Sequence, residues 1–235
     1  MLKVSKSTVS RLENTGPIPA ALPALLDEVF RTDGKFKRLA EQTVAASFPE
    51  LYRRRMELER GAVQIWEWSP TIIPGLLQTE PYAHALLRAG SPRATEQEIA
   101  AEAAKRIARQ GVLRSEAPPD LRVVLCESVL MRQVAAPEVM AEQLGSLLAH
   151  MRRSTTSIQV LPLSAEPHTL IDSAATLLTA PTLATVVYVE TYRMTGIVED
   201  PEHVRAAVRT FESLLSEAHS VRRSADIIRE QMEKL

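Results

Sequence analysis

The chain has 235 residues, of which 45% are hydrophobic, so it is long enough to form one large or two modest domains around a real core. Lys and Arg number 28 against 29 Asp and Glu, and the formal net charge of -1 excludes a general attraction to nucleic acid. Any DNA contact must therefore come from a local patch.

The single cysteine, Cys126, excludes both an intramolecular disulfide and a zinc site built on several cysteines. The first residues lack the apolar stretch of a signal peptide, and no run is as apolar as a membrane span, so we expect a cytoplasmic protein without a membrane partner.

Residues 1–34 predict two short helices. The first runs from Ser5 to Glu13, and the second follows Pro19 and ends at Asp33-Gly34. Residues 35–58 are polar with a helical spacing of apolar side chains, which predicts a helical connector that packs on the following domain.

Residues 59–235 predict a mixed α/β domain. Strand-like residues occupy 61–68, 121–126, 157–161, 175–179 and 185–190, and the last two are expected to be an antiparallel pair. Helices are expected after Thr79, Thr95, Pro137 and Asp200 and from Ser224, with a capping box at Thr95 to Glu98. We therefore predict an α+β fold, in which a small helical segment precedes a larger helix-rich domain with a small mixed sheet.

Two parts of the chain resemble known families. Residues 5–16, SKSTVSRLENTG, resemble the recognition helix of XRE-type helix-turn-helix regulators, in which a serine-rich first turn, a buried Val, an Arg and a Glu precede a Gly turn. A second set of motifs resembles the C-terminal domain of unknown function that is attached to many actinobacterial XRE regulators, and it extends from about Glu59 to the C-terminus. These motifs are PGLLQT at 74–79, Tyr82-Ala83, RIARQ at 106–110, Val112-Leu113, MAEQL at 140–144, QVLP at 159–162 and VYVE at 187–190.

The resemblance implies a transcription regulator or an antitoxin-like protein. It further implies that the C-terminal domain responds to a small-molecule ligand, and that the partners include DNA and a small acidic protein encoded nearby. Two departures bear on this expectation. An XRE domain normally has two helices ahead of the recognition helix, whereas four residues precede Ser5 here, so we expect a truncated helix-turn-helix and weak DNA binding. The family pattern also has glycines or a Phe near Ala135-Ala136, Glu166 and 173–175, so we expect a changed ligand if these positions line the pocket.

Short polar and basic side chains lie on the predicted recognition helix, where they can contact DNA phosphates or base edges. These DNA-binding candidates are Lys6, Ser7, Thr8 and Arg11. The alternative is that they form a solvated polar helix face.

The candidates for a ligand site are the polar residues in or beside the family motifs and two tryptophans. They are Trp66, Trp68, Gln78, Arg109, Glu127, Gln159, His168 and Tyr188. Because buried polar groups need partners, the alternative is an internal network that holds Arg109 to Glu127 or Glu190. Trp66 and Trp68 are expected on opposite faces of their strand, so that one lies in the core and the other lines a ligand site or a dimer contact.

An enzyme would need a poised acid, base or nucleophile, and the best candidate pair is His168 with Glu166 or Glu190. The histidines lack metal-ligand spacing and no Gly-rich phosphate loop is present, so we expect neither a metal nor a cofactor. Three functions stay open. One is a homodimeric, ligand-responsive transcription regulator, and another is a regulator-like protein recruited to specialised metabolism as a small-molecule-binding protein or an enzyme. The third is an antitoxin-like protein that binds the small acidic partner.

Overall fold

The computed structural model of the chain describes residues 22–36, 48–191 and 194–235, and the chain divides into two compact units, Met1–Glu50 and Leu51–Leu235. In the first unit, helix α1 spans Leu22–Phe30, which confirms the second predicted helix. The Asp27 carboxylate accepts hydrogen bonds from the Thr32 hydroxyl at 2.6 Å and from the Phe36 backbone N–H at 2.8 Å. The predicted recognition helix and Lys6, Ser7, Thr8 and Arg11 lie outside the described residues.

The described residues contain eight α-helices and six strands, which confirms the mixed α+β class. After α1 come α2 (Phe48–Gly61), β1 (Gln64–Ser69), α3 (Glu80–Gly90), α4 (Glu96–Arg109), β2 (Asp120–Cys126), α5 (Glu127–Met131), α6 (Pro137–His150), β3 (Thr156–Leu161), β4 (Ala174–Thr179), β5 (Thr185–Thr191), β6 (Met194–Val198), α7 (Pro201–Glu217) and α8 (Val221–Met232). The second unit begins within α2, so the last turns of the predicted connector are part of it. Among the described helices, none is long and apolar enough to span a bilayer.

The strands form one sheet in the order β3-β2-β1-β4-β5-β6. Strands β1, β2 and β3 pair in parallel, whereas β4 pairs antiparallel with both β1 and β5, and β6 pairs antiparallel with β5. The predicted antiparallel pairing of β4 with β5 is confirmed. Strand β6 was not predicted because its five residues, MTGIV, contain a glycine and show little alternation. Strand β1 therefore has a parallel neighbour on one side and an antiparallel neighbour on the other.

Each face of the sheet has its own apolar cluster. One cluster joins strand residues such as Ile65 to helices α3, α6 and α8, and the other joins Trp68 to α7 through Phe211. Trp66 lies on the same face as Trp68, and its ring stacks on Phe211 with 5.2 Å between ring centroids. The prediction of opposite faces was wrong, because residues two apart in a strand point to the same side of the sheet.

The helix ends follow their capping residues. The capping box at Thr95 is confirmed, since its side chain accepts from the Glu98 N–H and the Glu98 carboxylate accepts from the Thr95 N–H. Helix α8, however, begins at Val221 with Ser220 as its cap, so the start predicted at Ser224 was wrong. Ser224 is fully buried, accepts from the Val160 backbone N–H at 2.9 Å and donates to the His219 carbonyl at 3.2 Å. It ties α8 to β3 rather than starting a helix.

We predict that Ser224→Ala lowers the free energy of unfolding by about 1–3 kcal/mol, because the Val160 N–H is left buried without its acceptor. Urea unfolding followed by the fluorescence of Trp66 and Trp68 measures the change in the second unit. The matched control is Ser216→Ala, which removes an exposed hydroxyl from α7. Equal effects of the two substitutions would show that the Ser224 hydrogen bonds contribute nothing.

Candidate functional site

A row of polar side chains crosses the sheet face that packs on helix α2. Glu67 of β1 is the register partner of Thr176 in β4, and Thr176 is the partner of Tyr188 in β5. All three are buried. Their side chains share one face because directly paired residues point to the same side of a sheet.

Arg55 of α2 lies on this row. Its guanidinium carbon is 4.6 Å from the centroid of the Tyr188 ring, and Nη2 donates to the Thr176 hydroxyl at 3.4 Å. The nitrogens of Arg55 lie 3.7 Å from Glu59, 3.8 Å from Glu67 and 3.7 Å from Glu190. These distances give charge attraction but are too long for hydrogen bonds. The three carboxylates therefore balance the charge of Arg55 without accepting hydrogen bonds from it.

Four buried polar atoms of this cluster lack a hydrogen-bond partner among the described residues. They are Arg55 Nε, Glu59 Oε2, Glu67 Oε2 and Tyr188 Oη. A buried polar atom without a partner costs about 1–3 kcal/mol, and native proteins contain few of them. Two of these residues, Arg55 and Glu67, also line a cavity, where a ligand or an ordered water could supply the missing partners.

Burial also shifts the titration of this cluster. Burial raises the pKa of the Glu67 carboxyl; the Arg55 charge opposes the shift and Glu59 adds to it. Burial raises the pKa of Tyr188 to about 12, with the Glu190 carboxylate acting in the same direction, so the phenol stays neutral. Perturbed groups that cluster in a cleft are candidates for a functional site.

Glutamine side chains fix the loop that follows β1. Gln78 Nε2 donates to the Ile73 carbonyl at 2.7 Å, and Gln110 Nε2 donates to the carbonyls of Gln78 at 2.6 Å and Gly75 at 3.1 Å. From α6, Gln143 donates to the Leu77 carbonyl at 2.8 Å and accepts from the Thr79 N–H at 2.7 Å. Because these bonds satisfy backbone groups that no helix or strand pairs, the loop forms a fixed wall.

Two arginines of α4 face this loop. Arg109 Nε lies 3.1 Å from Glu59 Oε1, and its guanidinium packs so closely on Gly75 that a Cβ there would lie 2.5 Å from Nη2. Gly75 therefore permits the close approach of Arg109. Arg106 Nη1 donates to the Gln78 side-chain oxygen at 3.0 Å.

These elements enclose a cavity of about 360 Å³. Its polar lining includes Tyr52, Arg55, Glu67, Gln78, Arg106, Arg109, Asp172 and Glu190. Tyr52 and Arg109 also line a recess of about 660 Å³, whose other walls include Met56, Ala108 and Val112. The smaller cavity is the candidate site, because convergent polar groups and perturbed pKa values distinguish ligand sites from plain recesses. Among the described residues, no group of acidic, His or Cys side chains is arranged to hold a metal ion.

The structure brings some of the predicted site residues together. Gln78, Arg109 and Glu190 line the cavity, and Tyr188 contacts Arg55. Of the positions that depart from the family pattern, Ala174 lines it.

Other predicted site residues lie elsewhere. Trp68 donates from Nε1 to the Leu170 carbonyl at 2.7 Å, and the His168 ring packs edge-on against Trp68 on the α7 side of the sheet. His168 therefore does not form a pair with Glu190 at the cavity. Gln159 donates to the carbonyls of Leu215 and His219 and joins β3 to the region of α7.

The internal network differs from the predicted one. Glu127 accepts from the Leu163 N–H, and Arg109 pairs with Glu59 rather than with Glu127 or Glu190. Sequence reasoning did not select Arg55, Glu59, Glu67 or Arg106 as site residues. The signal available for the first two was a charged pair four residues apart on one helix face.

Residues 52–230, nearly all of the second unit, match the family described as Domain of unknown function (DUF5753). No curated protein and no solved structure was found to match the chain.

We predict that Gln143→Met lowers the free energy of unfolding by roughly 2–4 kcal/mol, because the Leu77 carbonyl and the Thr79 N–H both lose their partner. Urea unfolding measures the change, and the control is Gln133→Met at an exposed position before α6. A loss no larger than that of the control would mean that Gln143 does not hold the loop.

We predict that Glu67→Gln gains stability relative to the natural chain as pH rises from about 4 through the raised pKa of Glu67. Because burial raises the pKa of Glu67 above its ordinary 4.5, the folded state keeps a proton that the unfolded state releases, and stability falls as pH rises through this window. Glutamine does not titrate and escapes this loss. Urea unfolding at several pH values measures the difference. The exposed Glu57→Gln serves as control, and a Glu67→Gln difference that is constant with pH would contradict the prediction.

Proposed function

This chain belongs to the DUF5753 family, and we propose that it is a ligand-responsive transcription regulator whose second unit binds a small polar molecule in the cavity beside Arg55 and Glu67. The observation that carries the proposal is that Arg55 and Glu67, which both line a cavity with fixed walls, each have a buried polar atom without a hydrogen-bond partner among the described residues.

A bound molecule would gain affinity from both features. Donors and acceptors on the ligand supply partners for atoms that are unpaired without it, which removes a penalty rather than merely replacing water contacts. The loop held by Gln78, Gln110 and Gln143 is already ordered, so little conformational entropy is lost on binding. The cavity therefore supports binding of a small ligand.

Helix α2 offers a route for the response. It carries Tyr52, Arg55 and Glu59, and it begins at Phe48, on the C-terminal side of the segment that resembles a recognition helix. A ligand that pairs with Arg55 favours one position of this helix over others. A ligand can shift an equilibrium only through such a difference in affinity.

The DNA-reading part of the proposal depends on residues 5–16 and their resemblance to an XRE recognition helix. A homodimer would place two such helices on two half-sites of an operator, as helix-turn-helix regulators do. With a net charge near zero, binding depends on local cations such as Lys6 and Arg11.

We predict that the full chain retards a DNA fragment from upstream of its own coding region, with affinity that falls at least about tenfold between about 50 and about 200 mM salt. Gel-shift titration measures this. Arg11→Ala should weaken binding on both operator and unrelated DNA if the side chain contacts phosphate, whereas the exposed Arg93→Ala is the control. Binding that is absent, or that ignores salt and Arg11, would refute DNA reading by this chain.

A further inference from the structure

Arg106 is a cation that lines the cavity and has no matching anion among the described residues. Its hydrogen-bond partner is neutral, since Nη1 donates to the Gln78 amide oxygen at 3.0 Å. Arg55 has three carboxylates within 4 Å and Arg109 has Glu59, but in the described parts of the chain no carboxylate lies within 4.0 Å of Arg106. The guanidinium has five N–H donors in a planar fork, so most of its donors remain for a ligand.

The surroundings make this charge more costly. Burial lowers the pKa of Arg106, and the guanidiniums of Arg109 and Arg55 act in the same direction against Tyr52 and Glu190. Arginine nevertheless keeps its proton in proteins, so the charge stays in place. An anion at Arg106 would relieve the repulsion from the other two guanidiniums.

Glu67 provides a second and independent indication of a ligand. It is 8% exposed, it lines the same cavity, and its Oε2 atom has no hydrogen-bond partner among the described residues. Glu67 lines the cavity and has a buried carboxyl oxygen without a partner, so a donor on the bound molecule, such as a hydroxyl or an ammonium group, would stabilise it.

We propose that the ligand is a small monocarboxylate that also carries a hydrogen-bond donor, with Arg106 binding the carboxylate and Glu67 accepting from the donor. This inference rests on the proposed function and names the ligand class of the same site. The cavity volume of about 360 Å³ is near the lower end of the usual 300–1,000 Å³ for ligand pockets, so the molecule is small.

The charges on the cavity wall favour a monoanion over a dianion. The guanidinium fork fits a carboxylate or a phosphate equally well. Asp172 and Glu190, however, line the same cavity, and their repulsion roughly doubles for a ligand that carries nearly two charges. A phosphate ester therefore suits this site less than a carboxylate.

Isothermal titration of the full chain with four probes of similar shape tests the proposal. The probes are mandelate, which has a carboxylate and a hydroxyl, phenylacetate, which lacks the hydroxyl, mandelamide, which lacks the charge, and phenyl phosphate, which replaces the carboxylate. We expect mandelate to bind at least about tenfold more tightly than mandelamide, because a hydrogen bond to a charged group is lost. Phenylacetate and phenyl phosphate should both bind more weakly than mandelate.

Variants at Arg106 assign the effect to this residue. Arg106→Gln should abolish the preference of mandelate over mandelamide, whereas Arg106→Lys, which keeps the charge and loses the fork, should keep part of it. Arg93→Gln, at an exposed position, should bind as the natural chain does. Thermal unfolding of each variant confirms that it is folded.

The outcomes separate this inference from the proposed function. If mandelamide or phenyl phosphate binds as tightly as mandelate, or if Arg106→Gln keeps the preference for mandelate, the cavity binds small molecules but the carboxylate assignment is wrong. If none of the four probes binds at millimolar concentration, both the assignment and the binding role of the cavity fail.

Discussion

The buried charge of Arg55 is the constraint on which the second unit depends. A charge removed from water without compensation costs several kcal/mol, so helix α2 is most stable where Glu59, Glu67 and Glu190 surround the guanidinium. The Tyr188 ring and the Thr176 hydroxyl complete its surroundings. Because Glu67 lies in β1, Thr176 in β4 and Glu190 in β5, this one side chain holds helix α2 against three adjacent strands. Its distances to the carboxylates are those of ion pairs, and its Nε atom has no hydrogen-bond partner among the described residues. The same residue therefore stabilises the fold and retains a donor for a ligand.

The two sides of the cavity differ in how well their polar groups are satisfied. On the loop side, Gln78, Gln110 and Gln143 pair five backbone groups between Ile73 and Thr79. On the other side, atoms of Arg55 in α2 and Glu67 in β1 are left unpaired. A wall whose polar groups are hydrogen-bonded is rigid, whereas a wall with unpaired polar groups gains hydrogen bonds when a ligand binds. This combination is what a preorganised binding site requires, since the ordering cost is met during folding and the remaining capacity is directed at the ligand.

The sequence predicted most helices and strands, because caps and apolar periodicity are local. The capping box at Thr95 and the antiparallel pair β4 and β5 are examples. The wrong predictions concern residues whose type is compatible with more than one role, or whose position depends on contacts with distant parts of the chain. Ser224 is a capping type of residue that here bonds across to Val160, and the faces of Trp66 and Trp68 were assigned against the two-residue period of a strand. The site itself was only partly found. Gln78 and Arg109 stand in family motifs, but the row of Glu67, Thr176 and Tyr188 exists only once the strand order is known.

That strand order also explains where the cavity lies. Strand β1 is parallel to β2 and antiparallel to β4, so the end of β1, the start of β4 and the end of β5 meet at one edge of the sheet. Residues that are far apart in the chain therefore converge at this edge. They are the loop after β1, Asp172 just before β4, Ala174 at the start of β4 and Glu190 near the end of β5. In open sheets, ligands bind beyond the carboxyl ends of strands where the direction of connection changes. Of the family motifs, 74–79, 106–110 and 187–190 meet at this edge, whereas Gln143 and Gln159 in two others hold neighbouring elements in place. Three of the motifs on which the resemblance was drawn thus contribute residues to this edge of the sheet, and two others contribute hydrogen bonds that support it.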